Sequence, residues 1–157
     1  VRADNPRVVK AVHRNVLGQF KNDPWEMDPS ERDKQTIGHR KLENWLIDKL
    51  HDNGLEALDP GHGSGSVQFD LAWRLPSGSL AICEVKTTAN HEVKQIRLGL
   101  GQILHYAMQM EAGNEKILPC ILVQNLPDDK SLVKACENSG VRIFSSERDE
   151  IPTDLVT

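Results

Sequence analysis

The stretch FDLAWRLPSGSLAICEVK, residues 69 to 86, restricts what this chain can fold into more than any other part of it. Two runs rich in β-branched, aromatic and aliphatic residues flank Pro76, Ser77 and Gly78. Pro where a type I turn wants φ near about −65°, and Gly where a left-handed bulge residue falls, make PSG a three-residue hairpin loop. With Leu75 facing Ser79, residues equidistant from Ser77 oppose one another, and Asp70 falls opposite Glu84. Opposed residues share a sheet face with β-carbons roughly 5 Å apart. Lys86, two residues beyond Glu84, belongs to that face as well.

The apolar period differs on either side of the hairpin. Asn5 and Pro6, followed by Val8, Val9, Val12, Val16, Leu17 and Phe20, predict an amphipathic helix over residues 6 to 20. KNDPWEMDPS is a connector, and its Asp28 and Pro29 repeat the cap-then-proline signal. From there Ile37, Leu42, Trp45, Leu46 and Leu50 describe one long helix, stopped at DNG with Gly54 as a left-handed cap. LEALDP reads as a short strand and GHGSGS as a plain loop, because a phosphate cradle needs a Lys-Ser/Thr ending and a following helix.

Beyond the hairpin a helix is expected over about residues 90 to 110, with Ile96, Leu100, Ile103, Ala107 and Met110 as its buried stripe. Gln102 and Tyr106, four apart, share a different flank. ILPCILVQN is a nearly continuous apolar run, the pattern of a strand covered on both faces. PDDKSLVKACENSG is a capped helix ending at Gly140, and VRIFSS is a last strand. Strand, helix, strand implies a right-handed crossover and parallel pairing. The expected fold is α/β: a mixed sheet with an antiparallel meander and a parallel edge, flanked by helices.

Length suits a single core-forming domain, at 157 residues. No stretch approaches the roughly 18 apolar residues of a membrane span, and no basic-then-apolar leader opens the chain, so a cytoplasmic protein is expected. The chain starts at Val1 rather than Met, which leaves open that it is one domain of a longer polypeptide. Cys83, Cys120 and Cys136 are scattered among apolar neighbours, as reduced core thiols are, and show no zinc or iron-sulfur spacing. A net charge of −4 weighs against a basic nucleic-acid-binding domain, although carboxylates gathered for a metal contribute to that balance.

Two carboxylates facing each other at hairpin distance repel and raise one another's pKa. A hard divalent cation removes the conflict, since oxygen ligands plus water are what Mg²⁺ prefers. A lysine on the same face can orient or deprotonate water, or stabilise charge developing on a phosphate. The ordinary alternative is a solvated Glu-x-Lys strand with a nearby Asp in a salt bridge.

FD at 69 and 70, EVK at 84 to 86 and GQILHY at 101 to 106 resemble the PD-(D/E)XK nuclease superfamily, in its branch with a QxxxY motif as in RecB-type nuclease domains. The resemblance runs over roughly residues 38 to 145, through helix, three-stranded meander, helix, strand, helix and strand. It implies a restriction-endonuclease-like core over residues 36 to 157, with residues 1 to 35 as an N-terminal helical extension outside it.

It further implies Asp70 and Glu84 as metal ligands, joined by the Val85 carbonyl, with Lys86 beside the attacking water. Family members often add an acid from the first core helix, here Glu43, whose alternative is a solvated residue paired with Arg40 or Lys41. Gln102 and Tyr106 would line the catalytic edge, holding the scissile strand or positioning Lys86. Phe69 stands where the motif has Pro, and the cysteine cluster of iron-sulfur relatives is absent, so no such cluster is expected.

The implied activity is Mg²⁺-dependent hydrolysis of DNA, with Mn²⁺ substituting, within a restriction, repair or mobile-element protein; endonuclease is favoured over exonuclease. A homodimer, or fused or partner domains, would supply specificity. The alternative from a different class is a non-catalytic nucleic-acid-binding or assembly module that keeps the fold.

His39, one helical turn before Glu43, is expected on the surface or lining the site. His62, His91 and His105 carry no assignment. Arg40, Lys41, Lys94 and Arg97 gather near the proposed site and suit phosphate contacts, as do Thr87 and Thr88.

Overall fold

The structure is a computed structural model that describes residues 8–16, 36–61, 67–88, 92–111 and 115–157. Six strands form one sheet in sequence order: β1 (Val8–Lys10), β2 (Leu58–Pro60), β3 (Leu71–Arg74), β4 (Leu80–Lys86), β5 (Ile117–Val123) and β6 (Arg142–Ser145). Strands β1 to β4 pair antiparallel, whereas β4 with β5 and β5 with β6 pair parallel. The described helices are α1 (Ile37–Asp52), α2 (Glu92–Glu111) and α3 (Lys130–Asn138). From α1 onward, element order and strand sense agree with the expectation of a mixed α/β sheet.

The hairpin register is the one the PSG loop dictates. Leu71 faces Cys83, Ala72 faces Ile82, Trp73 faces Ala81 and Arg74 faces Leu80. The loop closes with Leu75 N–H donating to the Ser79 carbonyl at 2.9 Å, and Gly78 takes φ +93°, a value that costs glycine little and other residues more. Strand β4 is buried along its whole length, because β3 and β5 take its backbone groups and helices cover both its faces.

Alternation along the strands sorts the core into two layers. Leu42, Leu46 and Leu50 of α1 pack against Leu71, Trp73, Ala81, Cys83 and Val85. Ile96, Ile103, Ala107 and Met110 of α2 pack with Ala72, Ile82, Ile121 and Val123 on the other face. Leu100 is half-buried beside this second layer. All three cysteines are buried and free, as expected.

Helix α1 begins where the Thr36 hydroxyl accepts from the His39 N–H at 3.1 Å, satisfying one of the first-turn donors. It ends in a Schellman arrangement, with Gly54 N–H donating to His51 and Leu55 N–H to Leu50, and Gly54 at φ +71°. The expected start of this helix near Asp28, the connector before it, and residues 62 to 66 of the GHGSGS loop lie outside the described residues.

The N-terminal helix expected over residues 6 to 20 is not what its described part forms. Val8–Lys10 is the edge strand of the sheet, and residues 11 to 15 continue without helix. The valines at helical spacing are β-branched, and β1 pairs them with β2: Val8 with Pro60, Val9 with Asp59. Residues 8 to 10 are therefore a strand of the sheet, and residues 13 to 15 contact α1; Leu17 and Phe20 lie outside the described residues.

Candidate metal centre

Asp70 begins where the hairpin ladder stops. The last regular pair is Leu71 with Cys83, and Asp70 sits in a bend, its N–H donating to the Cys83 carbonyl at 3.1 Å. In the same register the Val85 N–H would meet residue 69. Instead the Asp70 Oδ2 accepts it, at 2.8 Å. The bend also sends Phe69 into the α2-side layer, breaking simple alternation. Asp70 thus does not stand on one sheet face as a mirror of Glu84; its carboxylate is drawn to the strand end, onto the backbone of the EVK segment.

From the α1 side two residues meet Asp70 there. His39 Nε2 lies 3.5 Å from Asp70 Oδ2, and His39 Nδ1 lies 2.7 Å from Glu43 Oε1. The imidazole is fully buried with Asp70 beside it, so of the two positions expected, on the surface or lining the site, the surface one is corrected. Burial alone would lower the His39 pKa, but the two carboxylates outweigh it and push it up to about 10. Glu43 is not solvated or paired with Arg40 or Lys41; its other oxygen accepts from Arg14 Nε at 2.5 Å.

Arg14 carries the network outward. It forms a two-pronged pair with Asp59 of β2, one contact at 2.9 Å from Nη1 and the other from Nη2. Burial alone would lower its pKa, and Asp59 and Glu43 instead hold it above the usual arginine range. Neither Arg14 nor Asp59 is signalled by spacing or motif in the sequence.

Glu84 and Lys86 lie on the α2 side of β4, and both are fully buried. Lys86 Nζ is 3.7 Å from Glu84 Oε2, ion-pair distance but beyond a hydrogen bond. The lysine stem runs under Gly99 of α2: a β-carbon there would lie 3.2 Å from both Lys86 Cγ and Cε. Gln95, Gly99, Gln102 and Tyr106 recur at four, three and four residues, one stripe of α2. Gln102 and Tyr106 are half-buried on it, and Tyr106 packs against the α2-side core.

Cys83, in the α1-side core, precedes Glu84 on β4. Burial pushes its thiol well up, with Cys120 next and the Asp70 and Glu84 carboxylates adding to the shift. Thr87 follows Lys86 at the strand end, where its Cγ2 would lie 3.5 Å from a β-carbon on Gly38 in the first turn of α1. Lys41, Lys94 and Arg97 are exposed, and Arg40 donates to the Asn15 carbonyl at 2.8 Å.

The residues fit a cation. One ligand atom each from His39, Glu43 and Asp70 fall within 4.8 Å of one another. Donors about 2 Å from a shared ion lie roughly 3–4.5 Å apart, so little movement is needed. Both His39 nitrogens are buried without a well-angled hydrogen bond despite their close carboxylates, which leaves the ring available as a donor once neutral. His39 is therefore the candidate ligand that the sequence marks only by its i, i+4 relation to Glu43.

Among the described residues no helix is long and apolar enough to cross a membrane. A scan against protein-family models finds no match, and a search of curated proteins finds none either.

Proposed function

We propose that the chain is a metal-dependent nuclease that hydrolyses phosphodiester bonds of DNA. The observation that carries this is the double engagement of Asp70. It bonds the backbone of the Glu84-Val85-Lys86 strand at Val85 and belongs to the buried His39–Glu43 group. An ordinary solvated Glu-x-Lys strand would leave Glu84 and Lys86 exposed; both are fully buried.

Asp70, Glu43 and His39 would hold the cation, with Glu84 and the Val85 carbonyl as the ligands approaching from β4. Mg²⁺ suits the carboxylates, and the imidazole makes Mn²⁺ a fitting substitute. When bound, the ion supplies charge neutralisation at the scissile phosphate and lowers the pKa of water. Lys86, held by α2 against Glu84, would orient the attacking water or stabilise charge on the phosphate. Gln102 and Tyr106 would border the scissile strand, and Arg40, Lys41, Lys94 and Arg97 would contact the duplex backbone. Endonuclease action, with a second copy or a partner domain completing double-strand cleavage, is the form we favour.

A second reading has its own support. The His39–Glu43–Arg14–Asp59 chain of ion pairs balances carboxylates against cations, as a purely architectural network in a DNA-binding or assembly module would. Plasmid nicking separates the two. With Mg²⁺ or Mn²⁺ the wild type should nick, and Asp70→Ala and Lys86→Ala should each lose at least about 10²-fold of the rate, the scale of a positioned catalytic group. Equal cleavage by those variants, or none by the wild type, would favour the module.

A further inference from the structure

The segment after β1 runs alongside α1 in the opposite direction. His13 Nε2 meets Asp48 Oδ1 at 2.6 Å, Arg14 meets Asn44 and Glu43, and Arg40 reaches the Asn15 carbonyl. Each step along the segment thus moves one helical turn back along α1, through residues 48, 44 and 40.

Asn44 grips the backbone of Arg14 at both ends. Its Oδ1 accepts from the Arg14 N–H at 2.6 Å, and its Nδ2 donates to the Arg14 carbonyl at 2.9 Å. The guanidinium is fixed from the far side by Asp59 and lies 3.4 Å from the Asp70 carbonyl. An arginine pinned at backbone and head has little freedom left, and its Nε is aimed at one oxygen of Glu43.

We propose that Arg14 is the positioning residue of the metal centre: by occupying Glu43 Oε2 it turns Glu43 Oε1 toward His39 and Asp70, where the cation binds. The role rests on the metal-binding part of the function proposed above. Arg14 touches neither substrate nor cation; it acts through Glu43, as hydrogen-bonded partners of metal-ligating carboxylates do. Asp59 holds Arg14 in turn. The sheet edge formed by β1 and β2 is therefore part of the site's construction, although no residue of it bears on the reaction directly.

The sign of one substitution separates this role from its rivals. Coulomb attraction alone says that removing a cation beside a metal site strengthens metal binding. A merely architectural arginine says that affinity of the folded protein is unchanged. Positioning says that affinity falls, by about 10- to 100-fold for loss of such a partner. Mn²⁺ binding is measured by titration calorimetry on wild type, Arg14→Met, Arg14→Lys and Asp59→Asn, with circular dichroism showing each to be folded at the temperature used.

The expected order of weakening is Arg14→Met, then Arg14→Lys, which keeps charge without the fork, then Asp59→Asn. Affinity unchanged or raised in the folded Arg14 variants overturns the positioning role and leaves the proposed function standing. Should Arg14→Met fail to fold, Arg14→Lys and Asp59→Asn decide by the same criterion. No binding by the wild type overturns the metal centre, and this role with it.

Discussion

The two sides of the candidate site are built by different forces. On the α1 side, His39, Glu43, Arg14 and Asp59 form a chain of short charged contacts, and Asp70 closes it. On the α2 side, Glu84 and Lys86 approach only to 3.7 Å and are confined by packing, the lysine stem lying against a helix that carries glycine at the point of contact. A chain of charged contacts thus marks one half, and close packing of the lysine stem marks the other.

Volume is the way to break the packed half. Gly99→Val places methyl groups where a β-carbon alone would already sit 3.2 Å from two Lys86 carbons. Overpacking of this kind costs about 1–3 kcal/mol, more than the helix propensity recovered on replacing glycine. The expected outcome is a lower urea midpoint with unchanged slope and reduced nicking at unaltered Mn²⁺ affinity. A stability equal to wild type would show that the lysine stem has room to move and that shape does not set this half.

Protonation is the way to sharpen the charged half, with a smaller effect. His39 has its pKa raised from 6.5 to about 10, so the imidazolium contributes stability that is fully present below about 6.5 and lost as pH rises through about 10. Melting temperature in EDTA, followed from pH 6 to pH 11 (roughly the window bracketing those values), should fall more in the wild type than in His39→Gln. Parallel curves for the two would remove His39 from the charged network. Gly99→Val should leave that difference untouched, since it adds volume beside Lys86 and removes neither carboxylate that raises the His39 pKa.

The same contrast separates what the sequence made legible from what it did not. The PSG loop determined the hairpin register, because a three-residue loop with glycine at its last position permits only one pairing, and Leu71 with Cys83 follows from it. The extrapolation to Asp70 went one residue too far: a carboxylate can take a backbone N–H in place of a carbonyl, and Asp70 does so with Val85. Long apolar periods gave α1, α2 and β5 for the same reason that they give cores.

Segment 11–15 had no such signature. Its pairing partners on α1 are Arg40, Asn44 and Asp48, a polar stripe at a spacing of four that reads as an ordinary solvated face. Side-chain hydrogen bonds to an irregular backbone leave no period, so Arg14 was hidden although its partner Glu43 was singled out. His39 was half legible: its relation to Glu43 is written in the spacing, while its burial depends on the bend at Asp70.

In the proposed site Asp70 joins the two halves around a cation. Anomalous diffraction from crystals soaked in Mn²⁺ tests it directly. A manganese peak is expected within about 2.3 Å of an Asp70 carboxylate oxygen, with a second ligand from the α1 group or from Glu84. Manganese bound only at surface carboxylates, with Asp70 still on the Val85 N–H and the His39–Glu43 contact intact, would contradict it.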